Sequence, residues 1–253
     1  MNRLLGWALA GGLVFLVGCK TSYVAAPAAV SFTAVDSLAG EDPTVVAAIA
    51  PYKSSLDAKM NEVVGRSARE LYKSNPEGLL NNFVADIFLQ HGRQKVDPAL
   101  DFAIVNSGGL RVPLPAGDIT LGRIYELMPF DNRVVVLTLA PAQMQELFAH
   151  VAKGSEVCFA GVRMTVENGE TKAVTIGGKP YDPTRSYRLA TIDYLADGGS
   201  NMTFLKTRTD YVDTGLFARD FIADYLRQEL AAGRVVDAKL DGRLEILGTG
   251  QQH

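Results

Sequence analysis

The sequence predicts a mixed α+β domain of about 200 residues, in which helices and strands follow one another in no regular order. Two patterns indicate this class. Apolar residues recur three and four positions apart in several segments, as in amphipathic helices, and short runs rich in valine and isoleucine stand between turn-forming residues, as in strands. A domain of this length can build one full hydrophobic core.

The first helix is predicted over residues 43–64. Asp42 is a typical N-cap residue, and Pro43 suits the first helical position. One apolar stripe follows at helical spacing, formed by Val45, Ile49, Tyr52, Leu56, Met60 and Val63. Gly65 is expected to end the helix. A length of roughly 33 Å is long for a small domain and is typical of a brace or connector.

The remaining elements are predicted from the same two patterns. Four more helices are expected, over residues 80–92, 120–127, a segment that opens at Pro141, and 216–231. Six strands are expected, over residues 102–105, 133–139, 162–166, 172–176, 187–191 and 243–247. The pairs Asn168-Gly169 and Gly177-Gly178 are expected to form tight turns between strands.

The N-terminus has the pattern of an export signal. Arg3 precedes an apolar run that is too short for a comfortable membrane span, so residues 1–18 are predicted to be a signal peptide. The segment Leu16-Val-Gly-Cys19 resembles the lipobox of bacterial lipoproteins, which implies cleavage before Cys19 and lipidation of that residue; an ordinary signal peptide is the alternative. Residues 19–42 then form a lipidated tether to the membrane.

This resemblance implies a location in the cell envelope, with the lipid anchor in the outer membrane and the domain facing the periplasm or the cell surface. Lys20 favours the outer membrane by analogy with bacteria that sort lipoproteins at this position.

The formal net charge is −3 and no basic stripe is present, which argues against a nucleic acid polymer as partner. With Cys19 lipidated, Cys158 is the remaining thiol and is predicted to be a small buried hydrophobe.

A candidate binding site is indicated where the apolar strand 102–105 runs into a glycine pair. Gly108 and Gly109 allow positive φ angles and close approach of a ligand. Asn106 and Arg111 flank this turn, and the planar guanidinium suits a phosphate or carboxylate. A plain turn with a surface arginine is the alternative.

Two aromatic residues in predicted loops extend this hypothesis. Phe130 lies between a helix and a strand, and Tyr194 lies just after a strand and before Gly198-Gly199. Two such rings can hold a flat base between them, while Asn132 reads the edge of the base. The alternative is that both rings cap the core, which the residues alone slightly favour.

Four motifs, in order, resemble the C-terminal domain of 5′-nucleotidases, a family that includes periplasmic UDP-sugar hydrolases. They are Glu77-x-x-Leu80-x-Asn82-x-x-x-Asp86, Asn106-Ser-Gly-Gly-Leu-Arg111, Pro129-Phe-Asp-Asn132 and Tyr194-x-Ala196-x-Gly198-Gly199. The resemblance covers residues 43–248 as one domain, before a short tail at 249–253. It implies a four-layer α/β/β/α fold, with the long first helix in the position of an interdomain connector.

The resemblance also implies the ligand and its contacts. A nucleotide or nucleoside would stack its base between Phe130 and Tyr194, with Asn132 near the base, and Asn106 and Arg111 near the ribose and phosphate. Gly199 and Ser200 belong to the same site. The chain differs from the family at two points: it has Lys73 and Ser74 where members carry an arginine, and Ser200 where many have an aspartate that touches the ribose.

Catalysis in this family belongs to a separate metallophosphoesterase domain with two metal ions, and no motif of that kind occurs here. His91, His150 and His253 are the only histidines, and each is expected to be structural or solvated. No cofactor is therefore expected in this chain, and divalent metals only in a partner. Three functions stay open: the nucleotide-binding half of a split hydrolase in nucleotide catabolism, inactive alone; a nucleotide- or nucleoside-binding envelope lipoprotein; and a structural lipoprotein.

Overall fold

The computed structural model describes residue 32 and residues 40–154 and 156–248. The chain divides into two units, Met1–Ala48 and Ile49–His253.

The signal peptide (1–18), Cys19 and the tail at 249–253 lie outside the described residues, as does most of the tether. No helix within 40–154 and 156–248 combines the length and apolar character needed to cross a membrane.

Helix α1 (Pro43–Met60) begins where the sequence predicts but ends earlier. The Asp42 carboxylate caps it by accepting a hydrogen bond from the Thr44 N–H at 2.8 Å. Gly65, expected to end the helix, instead lies within strand β1 (Val63–Ser67). The predicted apolar stripe is solvent-exposed from Val45 to Leu56, and only Met60, at the end of α1, packs partly against the core.

Two tertiary contacts explain why residues 63–67 form a strand. Strand β1 pairs antiparallel with β3 (Gly117–Thr120), an element that the sequence patterns do not predict. In addition, a Cβ on Gly65 would lie 2.9 Å from a methyl group of Leu226. The missing side chain therefore lets helix α6 (Ala218–Ala231) pack directly on β1.

The core is built on a five-stranded sheet. Its strands are β2 (Phe102–Asn106), β4 (Arg133–Leu139), β5 (Val157–Ala160), β9 (Tyr187–Ile192) and β10 (Asp210–Phe217). They lie in the order β10-β4-β9-β2-β5, with β2 and β9 parallel and the other neighbours antiparallel. Every residue of β2 is buried, as a strand in the interior of a sheet requires.

A second, four-stranded sheet follows the order β11-β6-β7-β8. Its strands are β6 (Val162–Glu167), β7 (Glu170–Ile176), β8 (Lys179–Pro180) and β11 (Leu244–Leu247). Strand β11 is parallel to β6, and the remaining pairs are antiparallel. Left-handed Asn168-Gly169 and Gly177-Gly178 turns connect β6 to β7 and β7 to β8, as predicted.

Helices cover these sheets. Helix α2 (Leu79–Lys95) packs on β2, β5 and β9, and helix α4 (Pro141–Ala152) packs on β7. Helix α3 (Leu121–Leu127) is capped by the Thr120 hydroxyl, which accepts a hydrogen bond from the Arg123 N–H. A one-turn helix, α5 (Asp193–Ala196), follows β9. The predicted mixed α/β class is confirmed.

Five strands were not predicted from the sequence patterns: β1, β3, β5, β8 and β10. Strand β10 occupies the first two residues of the segment predicted as the last helix, and the helix itself begins at Ala218. Most residues of β10 are exposed, so it shows no alternation of buried and exposed positions. Its pairing with β4, which no local pattern records, makes it a strand.

Candidate functional site

A cleft of about 360 Å³ lies at the edge of the five-stranded sheet, next to the end of β2. It is lined by Asn106, Gly108, Gly109, Arg111, Phe130, Asn132, Tyr194 and Ser200. Six of the seven predicted site residues therefore line one cavity, although they come from segments almost a hundred residues apart. The seventh, Gly199, does not line it but supports one of its walls.

The floor of the cleft is formed where β2 ends and a 3₁₀ turn, Ser107–Gly109, begins. Asn106 is nearly buried, and its Oδ1 has no hydrogen-bond partner among the described residues. A buried amide oxygen without a partner is unusual and costly, so it is available to a ligand.

The glycine pair has a different purpose from the one predicted. Neither Gly108 nor Gly109 adopts a positive φ angle, so the freedom that glycine allows in that region is not used here. Instead, a Cβ on Gly109 would lie 3.1 Å from Asn106 Oδ1. Glycine at 109 thus gives the Asn106 amide room, and a larger residue would push it aside by a few tenths of an ångström.

Arg111 leaves this turn with a largely unused guanidinium. Its backbone N–H donates to the Leu127 carbonyl at 2.9 Å, and its Nη1 donates to the Gly108 carbonyl at 3.1 Å. Most arginines at described positions pair with an aspartate or glutamate, but Arg111 has no such partner there. The cleft therefore contains one uncompensated positive charge and no carboxylate in its lining.

Phe130 projects from the loop between α3 and β4 and is 44% exposed. The loop is held by Arg219, which the sequence analysis did not single out. Arg219 donates from Nη1 to the Phe130 carbonyl at 3.2 Å, and from Nη2 to the Asp131 carboxylate. Its guanidinium also lies over the Tyr125 ring, 4.7 Å from the centroid. This arrangement fixes the backbone while leaving the Phe130 ring free.

Tyr194, in α5, supplies the second ring and is 47% exposed. Its hydroxyl accepts a hydrogen bond from the Ser200 N–H at 3.2 Å. A Cβ on Gly199 would lie 2.5 Å from two carbons of the Tyr194 ring, so only glycine fits beneath it. Neither Phe130 nor Tyr194 packs against another aromatic ring in the described part of the chain.

The segment after Tyr194 is fastened by residues that the sequence analysis did not place near the site. Arg208 donates to the Ala196 carbonyl and, at 3.3 Å, to the Leu205 carbonyl. His150, on α4, packs on the Phe204 ring with centroids 5.9 Å apart. A sequence signal for either residue is weak, because these contacts join separate elements.

The first motif, around Glu77 and Asp86, has a structural role away from the cleft. Arg243 donates to both oxygens of Asp86 (2.8 and 3.1 Å) and of Asp241 (3.0 and 3.1 Å), and to the Phe159 carbonyl. Glu77 accepts hydrogen bonds from the Asn82 amide and from two backbone N–H groups at 241 and 242. The network joins α2 to the segment before β11.

The remaining titratable groups are accounted for by packing. His91 is buried and shares a 2.9 Å contact with Asp224, and burial lowers its pKa even though the carboxylate opposes this effect. Burial raises the pKa of the Cys158 thiol to about 12, so Cys158 is the inert buried side chain that the sequence predicts. Across 40–154 and 156–248, no group of three or more His, Cys, Asp and Glu side chains could hold a metal ion.

A larger groove of about 790 Å³ lies between α4 and β7. Its lining includes Phe148, Thr171 and Tyr181, and it contains none of the predicted site residues. The smaller cleft carries the polar groups expected of a ligand site.

Comparison with known proteins agrees with the predicted family. Residues 58–207 match the family described as 5′-nucleotidase, C-terminal domain, and this range contains every residue that lines the cleft. The chain belongs to this family. The prediction of a 5′-nucleotidase C-terminal domain is thereby confirmed.

Relatives of this 5′-nucleotidase C-terminal domain are longer proteins. Protein UshA of Yersinia enterocolitica is 28% identical over 197 residues, which cover 74% of this chain and 35% of the relative. A 5′-nucleotidase of Vibrio cholerae is 34% identical over 131 residues, which cover 50% of this chain and 24% of the relative. The chain thus spans about a third or less of these relatives.

Solved structures show the same fold. The 5′-nucleotidase precursor from Thermus thermophilus superposes with a TM-score of 0.70 at 26% identity, over 83% of this chain and 44% of that one. The NAD nucleotidase of Haemophilus influenzae superposes with a TM-score of 0.63 at 20% identity, over 83% and 42%. The predicted likeness of the mixed α/β domain to 5′-nucleotidase C-terminal domains is confirmed.

Proposed function

We propose that this chain binds a nucleotide and acts as the substrate-binding domain of a 5′-nucleotidase-type hydrolase in nucleotide catabolism. One observation carries the proposal: two half-exposed aromatic rings, Phe130 and Tyr194, line the same cleft as Arg111, an arginine without a carboxylate partner at the described positions. Aromatic faces suit a base and an uncompensated guanidinium suits a phosphate. The membership in the 5′-nucleotidase C-terminal family supports this ligand class.

In this proposal each group in the cleft has a part in binding. The base stacks between Phe130 and Tyr194, and Asn132 hydrogen-bonds its edge. Asn106, whose Oδ1 has no partner within the described structure, meets a hydroxyl of the sugar, with Gly199 and Ser200 beside it. Arg111 binds the phosphate.

We further propose that a separate metallophosphoesterase chain supplies the hydrolysis. Two relatives named for such chemistry, the 5′-nucleotidase of Vibrio cholerae and a trifunctional nucleotide phosphoesterase of Bacillus subtilis, are much longer than the matched region. A two-metal site needs a cluster of His, Asp and Asn ligands, and the described residues contain no metal-binding group of that size. The divalent metals would belong to the partner chain.

The second candidate function is a nucleotide- or nucleoside-binding envelope lipoprotein that works without a catalytic partner. The cleft favours this candidate as much as the first, because every residue proposed to bind the ligand belongs to this chain. Incubation with AMP distinguishes the two candidates. The domain alone should release no phosphate. If the domain serves a split hydrolase, a secreted metallophosphoesterase from the same organism should release phosphate faster when the domain is added. No acceleration would favour the lipoprotein, and chelator-sensitive turnover by the domain alone would contradict both.

The binding site is tested by calorimetric titration of AMP and adenosine. Replacing Phe130 or Tyr194 with alanine should weaken both ligands roughly five- to a hundredfold, because each stacked base contributes about 1–3 kcal/mol. Tyr72→Ala is the matched control, since Tyr72 is 55% exposed and does not line the cleft. Unchanged affinity in both variants, with intact thermal melts, would show that the rings cap the core and would favour a structural lipoprotein.

Arg111→Ala should discriminate between the two ligands. It should weaken AMP more than adenosine, because only AMP carries the phosphate that the guanidinium would bind. The difference should narrow as salt rises, since the cleft is open to solvent. Arg66→Ala is the control, because Arg66 is exposed and pairs with Asp118. An equal loss for both ligands would contradict the assignment of Arg111 to the phosphate.

The envelope location is a separate proposal that rests on the Leu-Val-Gly-Cys19 motif. The domain would be anchored by lipid at Cys19, in the outer membrane. A Cys19→Ser variant should lose its acyl chains and move into the soluble fraction, because several acyl chains are needed for stable anchoring. If the variant fractionates with membranes as the wild type does, the anchor is assigned to the wrong residue.

A further inference from the structure

The loop between α3 and β4 carries both residues proposed to meet the base from this side, and the first turn of α6 holds it at three consecutive positions. The Ala218 N–H donates to the Asn132 carbonyl at 2.8 Å. Arg219 donates from Nη1 to the Phe130 carbonyl at 3.2 Å and from Nη2 to the Asp131 carboxylate. Two neighbouring residues of one helix therefore set the course of the loop.

The Arg219 side chain is itself fixed in position. Its guanidinium lies over the Tyr125 ring of α3, 4.7 Å from the centroid, and over the Phe217 ring of β10, 5.4 Å from the centroid. The side chain is only 14% exposed. Because the planar guanidinium is already held between two rings, little freedom is lost when it bonds the loop. The Asp131 carboxylate is largely exposed and adds little, so the bond to the Phe130 carbonyl is the important one.

We infer that Arg219 is a positioning residue for the base: through the Phe130 carbonyl it fixes the backbone from which the Phe130 ring projects as one wall of the cleft. The inference rests on the proposed function for its effect on affinity. Arg219 does not line the cleft. The Phe130 ring is half-exposed, so packing alone does not fix it and its position depends on the loop backbone.

The experiment is calorimetric titration of AMP and adenosine into wild type, Arg219→Met and Arg219→Lys. Methionine keeps an apolar stem against the two rings and removes every donor, whereas lysine keeps the charge and loses the planar fork. Arg219→Met should bind both ligands about three- to tenfold more weakly, the effect expected for one lost hydrogen bond. Arg219→Lys should lose less, and its loss cannot come from a change of charge.

The pattern across the two ligands distinguishes this role from that of Arg111. AMP and adenosine share the base, so Arg219→Lys should weaken both by the same factor, whereas Arg111→Ala should weaken AMP more. In a protein that already carries Phe130→Ala, Arg219→Met should weaken binding little further, because the ring on which it acts is gone. The bond from the Ala218 N–H to Asn132 belongs to the backbone and does not depend on the Arg219 side chain.

A further measurement does not depend on the ligand. Hydrogen exchange of residues 130–133 should be faster in Arg219→Met than in wild type. Arg133→Met is the matched control for affinity, because Arg133 directly follows the same loop, pairs with Asp213 at 2.7 Å and does not line the cleft. It should leave the affinity for AMP and adenosine unchanged.

The outcomes separate the two proposals. If wild type binds both ligands and the two Arg219 variants match it in affinity, the role of Arg219 is refuted and the proposed function stands. Additive losses in the double variant would refute the role as well, because Arg219 would then act without the Phe130 ring. If wild type binds neither ligand, the proposed function fails, and unchanged exchange at 130–133 in Arg219→Met would show that Arg219 does not hold the loop either.

Discussion

Gly199 offers a direct test of how the Tyr194 wall is built. A Cβ at this position would lie 2.5 Å from two carbons of the Tyr194 ring and 2.5 Å from its carbonyl oxygen. Ordinary contact begins near 3.4 Å, so in Gly199→Ala the added Cβ must separate by roughly 0.9 Å from both the Tyr194 ring and the Tyr194 carbonyl, which displaces the ring and shifts the local backbone. The φ angle of Gly199 is no obstacle to alanine, because it is not positive.

The magnitude follows from the loss of stacking. A displacement of this size forfeits up to about half of the attraction at each contact. Applied to about 1–3 kcal/mol of stacking on one ring, this predicts a loss of about 0.5–1.5 kcal/mol. The affinity for AMP should therefore fall roughly two- to tenfold.

The assay is calorimetric titration of AMP into Gly199→Ala, Tyr194→Ala and the double variant. If Gly199→Ala weakens binding by moving the Tyr194 ring, it should weaken AMP binding little further in a protein that already carries Tyr194→Ala. The losses of affinity in the two single variants should therefore not add in the double variant. Gly92→Ala is the control: its Cβ would lie 2.9 Å from Leu100 in the core, so it should lower stability and leave affinity unchanged. Full affinity in Gly199→Ala, or additive losses, would refute this account of the wall.

Two predictions concern stability. Arg243→Met should lower the free energy of unfolding by about 2–4 kcal/mol in urea titrations, since it leaves Asp86 without an arginine partner and removes the nearer of the two arginines that pair with Asp241. Both aspartates are about a third exposed, which keeps the cost below that of a fully buried pair. Arg163→Met is the control, because Arg163 is exposed and pairs with the same Asp241, and it should lower the free energy of unfolding by less than about 1 kcal/mol. Equal losses of stability in the two variants would contradict the role of the Arg243 network. Stability should also fall as the pH is lowered, because burial lowers the pKa of His91 in the folded protein below its ordinary value of 6.5. The stability that comes from the neutral His91 ring is fully present above pH 6.5, and it is lost as the pH falls through the lowered pKa. The decline should be shallower in His91→Gln. If stability instead increased as the pH was lowered from about 7 to 5, the predicted direction of the pH dependence would be contradicted.

The sequence by itself determined the fold class and the components of the cleft. The strand that ends at Asn106, the glycine pair and the rings at Phe130 and Tyr194 are local features, visible as an apolar run, turn residues and aromatics where loops are expected. Their order along the chain identified the family, which the match over 58–207 confirms. Periodicity and turn chemistry depend on neighbouring residues, so they can be read without the structure.

Only the tertiary structure decided how these components are held. Residues 63–67 leave the helical pattern because β3 pairs with them, and β10 is a strand because β4 lies beside it. The glycines at 109 and 199 leave room for the Asn106 amide and for the ring and carbonyl of Tyr194, and neither has left-handed backbone. Arg219 holds the Phe130 loop from helix α6. Each of these contacts joins segments far apart in the chain, and no local pattern of residues encodes such a contact.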